Sequence, residues 1–348
     1  MSMDDLKLAT EALSGGKRTI LFDDAGYPSF YNVLPKMLLS ELGLTGDSVH
    51  PAFIVQGEEV GQFYFSTYQN VIVNDRAYSL PRKDPTVSRT HDVYKTACEK
   101  KGKGFHLASN AEWSLIALLC KKQGTIPRGN NSYGCDTGAK HEKGQAASMD
   151  GEKIGRILTG TGPESWNHDL TAHGIADMNG NVWERMSGLR LLDGEINIIP
   201  NNDSAAAIDE SRTSANWKAI LPDGTLAAPG TAGTLKIDGK SEGSAEAASK
   251  IVGGGLVLNT ELRYPQYTGG STDNYYGYGQ ISFQTLAALD DTVSVPELLK
   301  ALCIFPLDAD HGGDYLYVRN YGERVALRGG AWSITSVAGL FALFLSNQ

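Results

Sequence analysis

A chain of 348 residues, 41% hydrophobic and 20% charged, has enough apolar content for a core and enough length for one large domain with insertions. A net charge of −9 argues against a general binder of the nucleic-acid backbone, which needs clustered Lys and Arg; Lys100, Lys101 and Lys103 read as a solvated loop. Cys98, Cys120, Cys135 and Cys303 are scattered without a C-x-x-C pair, which excludes a zinc ribbon and argues against a disulfide framework.

In chain order, residues 1–17 read as a short helix or frayed tail ending at Gly15–Gly16. Asp4 and Asp5 stand where a signal peptide would be basic, so none is read there. Arg18–Phe22 is a predicted strand, and Tyr31–Leu42 a predicted amphipathic helix with Val33, Leu34, Met37, Leu38 and Leu42 on one face. Phe53–Val55 and Val60–Phe65 read as strands, Asp92–Lys100 and Ala111–Lys122 as helices. Ser109 or Asn110 caps the second helix and Gly124 follows its end. From Gly124 to His173 the sequence is rich in Gly, Ser, Asn and Asp and predicts a long irregular region. An insertion over about 193–290 alternates turns with short strands such as Glu195–Ile199. It contains a low-complexity stretch, Gly239–Ser249, and an aromatic, glycine-rich piece, Asp273–Gly279. Val295–Cys303 is a predicted helix, and Arg324–Leu345 predicts strands broken at Gly329–Gly330. The longest apolar run, Val337–Leu345, falls far short of the ~20 residues that span a bilayer, so no membrane insertion is expected.

Three blocks, in order, resemble the formylglycine-generating (sulfatase-modifying factor) family. They are FHLASNAEWSLIAL at Phe105–Leu118, GIADMNGNVWER at Gly174–Arg185 and LRGGAW at Leu327–Trp332. The resemblance implies an α+β chain with the C-type lectin fold of that family: a small twisted antiparallel sheet, two main helices, extensive irregular loops and an insertion. Residues 18–348 then form a single domain. The family's catalytic cysteines follow the R-G-G block; here those positions hold Ile334 and Gly339, so neither a thiolate nor copper binding is available. The expectation is a protein that is not an enzyme, with an oxidase or other metal-dependent enzyme on the same fold as the alternative. The resemblance also implies calcium at Asn181, the Val182 carbonyl and Glu184, oxygen ligands that suit a hard cation. Turn stabilisation around a buried Glu184 hydrogen bond is the competing reading, and no cofactor is expected to be required.

The segment Gly313–Leu345 is similar, more narrowly, to the variable region of diversity-generating-retroelement target proteins. Arg328, Gly329, Gly330, Trp332 and Ala338–Leu343 match its fixed scaffold. The candidate variable positions are Ala331, Ser333, Ile334, Thr335, Ser336, Val337, Phe344, Ser346 and Asn347, and all hold residues reachable from an AAC codon by replacing its adenines. Tyr315, Tyr317 and Tyr321 add rigid amphipathic contacts. Proteins of this kind continue to a terminal strand ending in G-F-R, which this sequence does not contain: either that strand is lost or truncated, or the tail reads differently. The implied function is a ligand-binding display protein. It would recognise a protein or glycan on a host or cell surface and be presented on a virion or cell by a route other than ordinary secretion; without such a route a cytoplasmic location is expected. A calcium-dependent lectin is the remaining alternative, and an oligomer is compatible with the sequence.

Overall fold

The computed structural model describes residues 2–240, 255–263 and 278–347, so most of Gly239–Ser249 and of Asp273–Gly279 lies outside the described residues. The chain is mixed α+β and mostly sheet, with four α-helices among the described residues: α1 Met3–Leu13, α2 His91–Glu99, α3 Asn110–Gln123 and α4 Glu297–Ala301. No helix among them is long and apolar enough to cross a membrane.

An N-terminal sheet is built from β1 (Arg18–Phe22), β2 (Pro28–Pro35) and β3 (Gln62–Ser66), all antiparallel. The strand β2 replaces the helix expected over Tyr31–Leu42. Pro35 would sit inside that helix, where it removes a donor and clashes with the preceding turn. The backbone is instead satisfied by pairing to β1 on one side and β3 on the other. Of the two readings of residues 1–17, the helix is the one that forms, Met3–Leu13, closed by a capping box between Ser2 and Asp5.

Among the described residues the main sheet has eleven strands. They are β4 (Glu184–Leu192), β5 (Glu195–Ile198), β6 (Lys218–Ile220), β7 (Leu226–Ala227), β8 (Lys236–Gly239), β9 (Leu256–Asn259), β10 (Tyr278–Ser282), β11 (Ala287–Ala288), β12 (Tyr315–Arg319), β13 (Glu323–Gly329) and β14 (Gly339–Leu345). Their order is β10-β12-β14-β13-β4-β5-β8-β9-β11, with β6 and β7 branching from β5. This corrects the small antiparallel sheet of the sequence reading: the strands of the expected insertion extend the sheet, and two pairs, β9–β11 and β12–β14, are parallel. The last strand, β14, is paired on both edges, to β12 and β13.

Helix α3 is the centre of the core. Trp113, Leu115, Ile116, Ala117 and Leu118 are all fully buried, so it is enclosed on every side rather than amphipathic. Its start is fixed by a capping box, Glu112 N–H to Ser109 Oγ (3.2 Å) and Ser109 N–H to Glu112 Oε2 (3.0 Å), and its end by left-handed Gly124. The indole of Trp113 donates to the Leu340 carbonyl (2.8 Å), tying α3 to β14. Lys101, expected in solvent, is buried. Its ammonium donates to Ser29 Oγ (2.8 Å) and Tyr31 Oη (2.9 Å) and faces the rings of Tyr31, Tyr78 and Phe105.

Candidate functional site

Strand β13 delivers Arg328 and Gly329 to the end of the sheet, where the chain leaves as a loop and returns at Gly339. The mouth of that loop is too narrow for a side chain. Gly330 has φ +95°, and a Cβ there would stand 2.6 Å from Ala338 Cβ.

The loop backbone is then pinned from below. Gly180 N–H donates to the Gly329 carbonyl (2.9 Å), Trp332 N–H to the Asn181 carbonyl (3.2 Å), Tyr133 N–H to the Trp332 carbonyl (2.8 Å) and Thr335 N–H to the Asn131 carbonyl (2.8 Å). These anchors come from the Asn-rich stretches of the irregular region. Buried asparagine amides hold them in turn: Asn130 to the Gly155 carbonyl (2.9 Å), Asn131 to Asp136 (3.1 Å) and Asn179 to the Pro127 carbonyl (2.9 Å).

Outward from this fixed backbone stand Ser333, Thr335 and Ser336, all exposed, with Ala331, Ile334 and Val337 half-buried. Among the described residues no hydrogen bond reaches the hydroxyls of Ser333, Thr335 or Ser336. The four bonds just named are all backbone bonds, so changed side chains at Ser333, Thr335 and Ser336 leave them in place; Trp332 adds one side-chain bond, from its indole to Asp150 Oδ2 (3.2 Å). Thr335 also sits at φ +57°, a region costly for a β-branched residue and tolerant of Asn. Thr335→Asn is expected to raise stability by about 1 kcal/mol in urea unfolding; no gain would show that the loop relaxes this strain elsewhere.

The remaining candidates do not all join that surface. Phe344, half-buried, pairs with Leu327 two residues before Gly329 and packs against Trp183 (ring centroids 5.3 Å) and Tyr317 (5.4 Å); Tyr315 extends the row. Tyr317 is buried in that row and Ser346 is buried at the end of β14, which corrects both as contact residues. Asn347 is exposed, but its carbonyl is fixed by Val325 N–H (3.1 Å), four residues back along β13 from Gly329. Tyr321 is exposed in the turn before β13, at the end of the strand away from Gly330.

At the turn expected to hold calcium, the Asn181 side chain is already spent. Its oxygen accepts from Ile157 N–H (2.8 Å) and the Asn130 amide (3.1 Å), and its nitrogen donates to Gln69 Oε1 (2.8 Å). Gln69 Nε2 in turn meets Glu184 Oε1 (3.0 Å), the Asp177 carbonyl (3.1 Å) and the Val182 carbonyl (3.5 Å). As wired, Asn181, Val182 and Glu184 do not fit a calcium ion. Burial pushes the Glu184 carboxyl up to about 8 and that of Asp177 up to about 6. Asp177 Oδ2 accepts from Gly160 N–H (2.7 Å), while Oδ1 has no partner among the described residues.

Of the two positions that the resemblance assigns to catalytic cysteines, Ile334 lies in the loop and Gly339 lies under it. A Cβ at 339 would stand 2.6 Å from Asp314 Cγ and nearer still to both carboxylate oxygens.

Sequence reasoning missed a cavity of about 480 Å³ between β3, the 103–108 loop and the start of β4, walled by Phe63, Phe65, Tyr94, Phe105, Trp183 and Glu184. Its residues come from four distant stretches, so no local pattern announces it. His168, near the irregular region's end, is structural: its Nδ1 accepts from Ile175 N–H (2.8 Å), and burial pushes it down to about 4.

The anchoring region carries its own acid sensitivity. The Arg128 guanidinium, donating to both oxygens of Glu142, holds that carboxyl down at about 2, with help from the Trp166 indole (2.9 Å). A depressed carboxylate contributes stability that is complete above its ordinary value, near 4.5, and is lost as pH falls through about 2. The difference in stability between the wild type and Glu142→Gln should therefore shrink steadily over that window in acid-unfolding curves. A constant difference would contradict the assignment.

A scan of the sequence against models of known families found no match, and a search of curated proteins likewise found none.

Proposed function

We propose that this chain is a ligand-binding display protein with the C-type-lectin-like fold of the formylglycine-generating family. In this reading its loop Ala331–Val337, diversified by a retroelement, contacts a protein or glycan on a host or cell surface. The observation that carries the reading is the loop's construction: four backbone hydrogen bonds fix its path, while Ser333, Thr335 and Ser336 face water without side-chain bonds. Such a loop accepts new side chains without moving its main chain, which is what diversification demands. Exposed hydroxyls beside half-buried Ile334 and Val337 give a mixed polar and apolar contact surface. The oxidase alternative needs thiolates at Ile334 and Gly339, and the second position has no room for a side chain.

The DNA beside the coding sequence tests the reading. Expected is a near-copy of the 3′ end that differs only at adenines, next to a reverse-transcriptase gene. Its absence from the natural locus would remove the retroelement from the account, and unchanged ligand binding after replacement of Ser333–Val337 would remove the loop.

A further inference from the structure

We propose that the side-chain amide of Gln69 stands in the place of a cation at the turn Asp177–Glu184, so that the protein needs no calcium there. The inference is independent of what the tip loop binds.

Which end of the Gln69 amide faces the turn is settled by a chain of donors. A backbone N–H can only donate, so the Ile157 N–H on Asn181 fixes Asn181 Oδ1. Asn181 Nδ2 must then point the other way, at Gln69, and the atom it meets must be an acceptor, Oε1. Gln69 Nε2 is left facing the Glu184 carboxyl and the carbonyls of Asp177 and Val182. A carboxyl and two carbonyls converging on one point are a hard-cation donor set, for which calcium would require oxygens at about 2.3–2.6 Å. The amide nitrogen occupies that point at 3.0–3.5 Å from the same oxygens, so amide and ion exclude each other. The amide supplies two N–H groups for three acceptors, and it carries no net charge. Taking it away leaves the carbonyls of Asp177 and Val182 and the carboxyl of Glu184 without a positive partner, beside the open Oδ1 of Asp177.

The test compares melting temperatures of the full chain in EDTA and in millimolar calcium chloride. The wild type should shift by less than about 1 °C, whereas Q69E, the same size but with an oxygen that can ligate the ion where the amide nitrogen stood, should gain about 5 °C or more with calcium. Q69G, which only removes atoms, provides the same test if Q69E does not fold: it should show terbium luminescence sensitised by Trp183, which lies between Val182 and Glu184, and the wild type should not. Calcium stabilisation or terbium luminescence in the wild type would overturn the proposal. So would Q69E or Q69G protein that folds and ignores both ions.

Discussion

Arg328→Ala is expected to destabilise the protein by about 4 kcal/mol or more, enough to unfold much of it at growth temperature. The guanidinium is wholly buried. It donates through Nε and Nη2 to Asn110 Oδ1 (3.0 and 2.8 Å) and through Nη2 to the carbonyls of Leu302 (3.2 Å) and Cys303 (2.9 Å). One side chain thus binds β13 to the start of α3 and to the segment after α4. Truncation leaves two buried acceptors, Asn110 Oδ1 and the Cys303 carbonyl, without a donor, at roughly 1–3 kcal/mol each before relaxation, and opens a cavity besides; the Leu302 carbonyl keeps the Asn110 amide (2.9 Å). Arg328→Lys should rescue little, because a single ammonium cannot reproduce the planar fork. The check is urea unfolding followed by tryptophan fluorescence. A loss below about 1 kcal/mol would mean that the Asn110 and carbonyl contacts are not held in solution.

The second large effect is expected from attempting to restore the oxidase. Gly339→Cys should cost about 3 kcal/mol or more, and the pair Ile334→Cys with Gly339→Cys should show no copper-dependent turnover. Asp314 is the obstacle: buried, it accepts from Phe341 N–H (2.8 Å), while its own carbonyl accepts from Phe283 N–H (2.7 Å). A Cβ at 339 would have to displace a carboxylate that organises the turn into β14. Gaining copper-dependent oxidase activity in a folded double variant would revive the enzyme reading.

These effects separate what was legible in the sequence from what was not. The cap of α3 (read as Ser109 or Asn110, and found at Ser109), the end of α3 at Gly124 and the break at Gly329–Gly330 were readable because each depends on a few adjacent residues with a fixed backbone demand. In the segment Tyr31–Leu42 the apolar spacing fits a helix but Pro35 does not, and strand pairing to Arg18–Phe22 and Gln62–Ser66 decides the outcome. Lys101 looked like part of a solvated charge run, and only the folded chain brings Tyr31, Tyr78 and Phe105 around its ammonium. Within the site, the loop Ser333–Val337 was visible from the pattern around it. Its anchors were not, because Asn131 and Tyr133 lie some two hundred residues earlier in a stretch without periodicity. Ser346 and Tyr317 were misplaced for a related reason: Ser346 follows β14, which lies between two strands, and Tyr317 on β12 is covered by the rings of Trp183, Tyr315 and Phe344.

The whole account rests on a fixed main chain carrying exchangeable side chains at its tip. The most direct measurement is selection from a displayed library in which Ser333, Ile334, Thr335, Ser336 and Val337 are randomised, against a protein chosen at will. The account predicts that most members melt within about 3 °C of the parent and that selection yields binders whose affinity disappears when the parental loop is restored. A library whose members mostly unfold, or whose binders contact their target through other residues, would contradict it.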